Sequence, residues 1–210
     1  MAVRLRLGLP PRDALPSKCA CGALMLDDPH HFLGCHNLKP ILTVRHNRLL
    51  YLLARLTKLG DIATQVEVPL EDLKRPDVVF HLPSKVLATD ISVTHPSAKS
   101  YVKVAARPLG AAAARERDKV REYGEKARQE GMAFLPFVME TYGAFGKHAL
   151  EILSDLDDDI SHNGSQVGSM KWITFAKRAL SVCLQGGNAL VMDKGCVLAR
   201  RAATRRLRSS

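Results

Sequence analysis

One stretch of the chain decides the fold: residues 75–94, RPDVVFHLPSKVLATDISVT. Two apolar runs flank Pro83-Ser84, the only turn signal between them, so the stretch predicts a β-hairpin. Asp77 and Asp90 are equidistant from that turn, and the closed hairpin would place them opposite each other. Opposed residues of antiparallel strands lie about 4.5–5.5 Å apart at Cα. The sequence therefore predicts that two carboxylates meet at the end of the hairpin.

Two carboxylates this close repel each other, which raises a pKa unless a cation lies between them. Asp77 and Asp90 therefore favour a divalent metal site and, with it, metal-assisted hydrolysis. The alternative is structural, because Pro-Asp is a common start of a strand and an acidic residue of a strand can simply face water.

The charge balance points to a polyanionic partner. Lys and Arg number 31 against 21 acidic residues among 210, which gives a net charge of +10. Nucleic acid is the leading candidate, and a basic solvated surface is the alternative. No run approaches the roughly 18 apolar residues of a membrane span, and charges interrupt the N-terminal segment. We expect an intracellular protein without a membrane partner, and the hydrophobic content of 46% is enough for a core.

Arginines are concentrated in residues 200–208. Such a cluster commonly contacts phosphates, or serves as a nuclear address. The first reading predicts nucleic-acid contacts, and the second predicts a nuclear location.

Four zinc-type ligands lie near the N-terminus, in the pattern Cys-x-Cys-x9-His-x3-Cys: Cys19, Cys21, His31 and Cys35. Zinc in structural sites prefers four such ligands in a tetrahedron, so the pattern predicts a structural zinc knuckle. His31 is preferred to His30 because its spacing from Cys35 is one helical turn, although His30 remains an alternative. A closed site has no open position for substrate, so its expected role is folding or nucleic-acid contact.

Periodicity and turn signals predict the other elements. We expect strands at 64–70, 76–82, 86–94 and 132–141, the last with a bulge or an edge position at Pro136. We expect helices at 45–59, at 98–129 in two pieces broken at 108–110, at 146–161 and at 168–184, then a turn at 185–188 and a last helix into the basic tail.

The second piece of the 98–129 helix carries Glu116, Lys119 and Tyr123 at i, i+3 and i+7, on one face. Packed on the sheet, that face could meet the two carboxylates, where a lysine can stabilise charge that develops on a phosphate. The alternative is a solvated charged face with Tyr123 as an anchor.

Several motifs together resemble a known family. They are Cys19-Ala20-Cys21-Gly22 with residues 30–35, Arg45-His46-Asn47, Arg75-Pro76-Asp77, residues 90–96, the Glu116, Lys119 and Tyr123 set, and residues 135–143. The chain resembles the restriction-like endonuclease domain, of the PD-(D/E)xK nuclease superfamily, found at the C-terminus of site-specific non-LTR retrotransposon proteins. The resemblance covers nearly the whole chain. It implies an α/β (α+β) fold with a mixed sheet flanked by helices.

The resemblance further implies a nuclease, dependent on Mg²⁺ or Mn²⁺, that nicks DNA at an insertion target. Asp77 and Asp90 would be the metal ligands. Ser92 stands where the superfamily's pattern has lysine, and Lys119 on the following helix would take that lysine's part, supported by Tyr123. The rival function is a zinc-containing nucleic-acid-binding module whose nuclease fold is inactive.

Further residues carry expected contacts. Glu140 and Glu67 are additional acidic candidates, and the match at Glu140 also fits a packing role. The expected nucleic-acid contacts are Arg45, His46, Arg75, Arg200, Arg201, Arg205 and Arg206. The expected partners are DNA, with RNA or an RNA–DNA hybrid as alternatives, and a reverse transcriptase domain of a parent protein.

The expected organisation is a zinc knuckle at 1–40, a catalytic core at 41–145 and a helical extension with the basic tail at 146–210. No part of the chain resembles a reverse transcriptase palm. We therefore expect an excised domain, a truncated element or a stand-alone descendant.

Overall fold

The predicted hairpin is confirmed in the computed structural model, which describes residues 14–68, 75–162 and 170–208 together with Arg4 and Leu9. Strand β2 (Val78–His81) pairs antiparallel with β3 (Val86–Thr89), with Val78 opposite Thr89. The amide of Leu82 donates to the carbonyl of Lys85 at 2.9 Å, which closes the turn at Pro83-Ser84. Strand β1 (Ala63–Val66) extends the hairpin antiparallel to β2.

The strands after the hairpin form a parallel pairing that is interrupted once. Strand β3 pairs with β5 (Ala133–Phe134), and β4 (Ile91–Thr94) pairs with β6 (Phe137–Glu140). Both pairings have the same offset of 46 residues, from Leu87 opposite Ala133 to Thr94 opposite Glu140. The amide of Phe137 donates to the carbonyl of Asp90 at 2.9 Å across the interruption. The two predicted strands at 86–94 and 132–141 are therefore confirmed, each with a break near its middle.

Pro136 explains one of these breaks. Pro136 has no N–H to donate, and it lies between β5 and β6. Each of these two strands is an edge strand of its sheet. The predicted edge position of Pro136 is confirmed for the described residues.

Four α-helices of the described ranges accompany the sheet. They are α1 (Lys39–Lys58), α2 (Gly110–Gln129), α3 (Lys147–His162) and α4 (Trp172–Arg208), and short 3-10 helices lie at His31–Gly34 and His36–Leu38. None of the helices in the described ranges has the length and apolarity that crossing a membrane requires.

The two faces of the hairpin are buried against different helices. Alternate residues of a strand point to opposite faces. Val78 and Phe80 belong to the main core, which also contains apolar residues of α1, α3 and α4. Val79 and Ala88 pack instead with Ala127 of α2. Because Asp77 and Asp90 are two residues from Val79 and Ala88, they belong to the α2 side of the sheet.

A second core joins the N-terminal segment to the last helix. Phe32, Leu33 and Leu38 are buried with Val191 and Met192 of α4. The predicted four zinc ligands are thus packed onto the C-terminal helix.

The predicted turn at 185–188 is wrong, because α4 runs through it without interruption. Gly187 packs against α1, and a Cβ there would come within 2.5 Å of Cγ of Arg45. The side chain of Asn188 also makes a tertiary contact, because its amide nitrogen donates to the carbonyl of Thr141 at 2.8 Å. Tertiary packing therefore overrides the local preference of Gly-Gly-Asn for a turn.

The first piece of the predicted 98–129 helix is also wrong, because residues 98–109 form consecutive turns. Leu109 has a left-handed conformation with φ of 58°, and α2 begins directly after it. A Cβ at Gly110 would collide with the carbonyl oxygen of Val104, so the turns fold back onto the start of the helix. Pro108, which has no N–H, separates the two parts.

The predicted strand at 64–70 is shorter than expected. It ends at Val66, and Glu67 has a positive φ of 54° that an extended strand does not allow. Residues 69 and 70 lie outside the described ranges.

Candidate functional site

Asp77 and Asp90 face each other at the open end of the hairpin. The pairing of Val78 with Thr89 places them one step further along the same register. An oxygen of Asp77, Oδ2, accepts a hydrogen bond of 2.6 Å from the amide of Ile91. This bond fixes the first carboxylate beside the backbone that carries the second one.

Lys119 of α2 reaches the second carboxylate. Its Nζ lies 3.0 Å from Oδ1 of Asp90, and both side chains are about nine-tenths buried. The hydroxyl of Ser92 donates to the other oxygen of Asp90 at 3.2 Å, and Nε of Arg115 donates to that hydroxyl at 3.3 Å. Of the helical face inferred from the sequence, Lys119 therefore does reach the carboxylates, whereas Glu116 does not.

The surroundings of Asp90 disfavour its charged form. Burial, followed by the charge of Asp77, raises the pKa of Asp90, while Lys119 and Ser92 act in the opposite direction. One lysine thus offsets only part of the cost of two adjacent carboxylates.

Tyr123 lies behind the lysine. Its ring is stacked on Phe134, with centroids 5.3 Å apart, and the Nζ of Lys119 is 4.9 Å from the tyrosine centroid. Burial, followed by the charge of Asp90, raises the pKa of Tyr123 to about 12, so its hydroxyl stays protonated at neutral pH.

His46 of α1 approaches the first carboxylate. Its Nε2 lies 3.4 Å from Oδ1 of Asp77, and this hydrogen bond raises the pKa of His46. A cleft of about 470 Å³ opens here, and His46, Asp90, Ser92, Arg115 and Lys119 are among the residues that line it.

The remaining acidic candidates have other contacts. Oε1 of Glu140 accepts from the amide of Ala112 at 3.1 Å, in the first turn of α2. Oε1 of Glu116 accepts from the amide of His148 at 3.0 Å, in the first turn of α3. These two buried carboxylates satisfy amides at helix N-termini, which have no partner within their helix. Glu67 is exposed, and its amide donates to the carbonyl of Asp77.

The four predicted zinc ligands are close together. Their ligand atoms all lie within 4.8 Å of one another, with 3.7 Å between the sulfurs of Cys19 and Cys35. Zn–S bonds of about 2.3 Å in a tetrahedron place two sulfurs roughly 3.8 Å apart. Burial raises the pKa of Cys19 to about 12, a cost that a bound cation would remove. This Cys3His cluster could bind zinc.

His30, the alternative ligand, is used elsewhere. Its Nδ1 lies 3.0 Å from the hydroxyl of Tyr142, and its Nε2 lies 2.9 Å from the carbonyl of Leu9.

The predicted nucleic-acid contacts occupy three places. Arg45 is buried in the cleft wall beside His46, and Arg75 is exposed just before β2. Arg200, Arg201, Arg205 and Arg206 are exposed on the last turns of α4. Arg201 and Arg205 line a second cavity of about 510 Å³ together with Ala20 of the Cys3His segment.

Sequence reasoning missed the polar residues beyond Ser92 in the cleft, namely Thr94 and His95. The signal that could have revealed them is the alternation of polar residues at 90, 92 and 94 in a strand that is otherwise apolar.

Comparison with known proteins shows a partial similarity. No established protein-family profile matches the chain. The chain is similar to the Retrotransposable element SLACS 132 kDa protein of Trypanosoma brucei gambiense. The two are 34% identical over 145 residues, which cover 62% of this chain and 12% of that protein. The match therefore spans only about an eighth of the length of this relative.

Proposed function

We propose that this chain is a metal-dependent endonuclease, derived from a retrotransposon protein, that hydrolyses phosphodiester bonds of DNA. The observation that carries the proposal is the convergence of Asp77, Asp90 and Lys119 at the end of the hairpin. The similarity to a retrotransposable-element protein supports the origin. DNA as the partner, and a nuclear location, belong to the same proposal.

The donor set of this site fits a hard divalent cation. Mg²⁺ and Mn²⁺ prefer carboxylate oxygens, and Asp77 and Asp90 supply them from two adjacent strands. The raised pKa of Asp90 is the cost that such a cation would relieve. A bound metal would activate a water and neutralise charge on the phosphate.

The chain's own residues have distinct parts in this proposal. Lys119 is held by Asp90 with its Nζ at the cleft, where it can contact a phosphate oxygen as charge accumulates there. Tyr123 limits the movement of the lysine from behind. His46 and the amide of Ile91 orient the carboxylate of Asp77.

A second candidate function is nucleic-acid binding without hydrolysis. The observation that favours it is the position of Arg201 and Arg205 beside the Cys3His segment, where both could contact phosphates. On this alternative the cluster and the tail form the functional surface, and the carboxylates are remnants.

Conversion of supercoiled plasmid to nicked or linear DNA tests the first function. Wild type should convert the plasmid with Mg²⁺ or Mn²⁺ and lose that activity with a chelator, and Asp90→Asn should lose at least 10²-fold. The matched control is Asp61→Asn, which removes one exposed carboxylate outside the site at a positive φ that Asn tolerates. Equal activity of wild type and Asp90→Asn, or none in wild type with either metal, would reject the nuclease.

A further inference from the structure

A second group of polar side chains lines the same cleft beyond the carboxylates: Arg45, Thr94 and His95. They are only 4%, 3% and 5% exposed. Each also has a side-chain atom without a hydrogen-bond partner, namely Nε of Arg45, Oγ1 of Thr94 and Nε2 of His95. Buried polar atoms are normally paired, so three unpaired atoms in residues that line one cleft leave hydrogen-bonding capacity for a ligand.

The charge of Arg45 is also unmatched. Its NH1 donates to the side-chain oxygen of Asn188 at 2.9 Å, and this acceptor is neutral. Within the described ranges no carboxylate pairs with Arg45. Burial lowers its pKa to about 10, so the guanidinium is still charged at neutral pH. A buried cation without a counter-ion is costly, and an anionic ligand would supply that counter-ion.

Thr141 holds both sides of this group in place. Its carbonyl accepts from the amide of Asn188, which turns the amide oxygen toward Arg45. Its hydroxyl lies 2.9 Å from Nδ1 of His95, which leaves Nε2 for a ligand. Burial lowers the pKa of His95 to about 4, so the imidazole is neutral. These contacts preorganise the group for a ligand.

The position of the group separates it from the carboxylates. Asp90, directly before β4, alternates with Ser92 and Thr94 of that strand, so the three residues belong to one face. Four residues of strand span about 13 Å, which is too far for one phosphate to contact both Asp90 and Thr94.

We propose that Arg45, Thr94 and His95 form a subsite for a backbone phosphate of the DNA strand, separate from the phosphate that is cut. This inference rests on the proposed function for its choice of DNA. The chemistry of the subsite is that of phosphate itself, so inorganic phosphate is a probe that requires no hydrolysis.

The experiment measures Tm in phosphate and in chloride at equal ionic strength, and DNA affinity against salt, without added Mg²⁺. Phosphate should raise the Tm of wild type. Arg45→Met keeps the stem and removes the charge. Its Tm in chloride should stay close to that of wild type, because removing an uncompensated buried charge offsets the loss of the hydrogen bond to Asn188. It should lose the phosphate response and bind DNA about tenfold more weakly, with a log–log salt slope smaller by about 0.9.

Thr94→Val is the second variant, in case Arg45→Met does not fold. It removes one hydroxyl that has no partner, so the fold should be kept while the phosphate response falls. The control is Arg55→Met, which removes an exposed charge on the same helix and should retain the phosphate response.

If phosphate raised the Tm of both Arg45→Met and Thr94→Val as much as that of wild type, the subsite would be overturned. A lower Tm of Arg45→Met in chloride, with the phosphate response kept in Thr94→Val, would overturn it as well and make Arg45 structural. If phosphate binds as described but plasmid is never cut, the subsite stands and the nuclease fails. If plasmid is cut but neither substitution changes phosphate binding, the subsite is refuted and the proposed nuclease function is not.

Discussion

Lys119→Met should destabilise the protein through the two carboxylates that it leaves behind. The ion pair with Asp90 spans 3.0 Å. At an effective dielectric constant of about 20, two charges at this distance attract by on the order of 5 kcal/mol, before desolvation is subtracted. Breaking a buried pair on one side typically costs about 3–5 kcal/mol. Protonation of Asp90 limits the loss that Asp90 itself can cause, because protonating an ordinary carboxyl in the unfolded chain costs about 4 kcal/mol at pH 7.

The assay is urea unfolding at pH 7 in zinc-containing buffer, with and without Mg²⁺. We expect Lys119→Met to lose about 3–5 kcal/mol without Mg²⁺. Mg²⁺ should restore more stability to this variant than to wild type, because the cation replaces the missing positive charge.

A double-mutant cycle isolates the pair. Asp90→Asn with Lys119→Met should be less destabilised than the sum of the single variants, because removing both charges leaves neither uncompensated. Additive losses within about 0.5 kcal/mol, together with no extra effect of Mg²⁺, would refute this reasoning.

Three further predictions follow from packing, pH and metal. Gly187→Ala should destabilise by about 1–3 kcal/mol, because its Cβ would come within 2.5 Å of Arg45. Gly186→Ala, with open space, should instead stabilise by about 0.5–1 kcal/mol, and thermal unfolding compares the two. The pKa of His95 in the folded protein is about 4, below its value in the unfolded chain, so the free energy of unfolding should fall as the pH is lowered from about 6.5 to 4. His95→Gln should weaken this pH dependence, which urea unfolding at several pH values measures. Cys21→Ser should lower the zinc content measured by atomic absorption and lower Tm, because the cluster is part of the second core.

The hairpin could be predicted because its signals are local. Turn residues, alternation and the symmetric positions of Asp77 and Asp90 together define the register, and the structure has that register. The face of α2 that carries Lys119 and Tyr123 could also be predicted, since helical spacing alone places these two residues together.

The missed features depend on contacts that are distant in sequence. Gly187 belongs to a helix because Arg45 of α1 packs against it, 142 residues earlier in the chain. Glu140 looks like an acidic site residue in the sequence, and Glu116 shares a helical face with Lys119, but each carboxylate satisfies an amide at the start of a helix. The buried polar group of Arg45, Thr94 and His95 is assembled from α1, β4 and the residue after β4, so no single window of sequence reveals it.

The most direct test of the central claim measures binding and cleavage in one sample. A labelled DNA duplex is incubated with wild type or Asp90→Asn in Mg²⁺, and bound fraction and cut fraction are read from each reaction. The account predicts that both proteins bind the duplex, the variant at least as tightly because it carries one negative charge less, and that only wild type cuts it. If both proteins bind the duplex and neither cuts it, Asp77, Asp90 and Lys119 do not form a nuclease site.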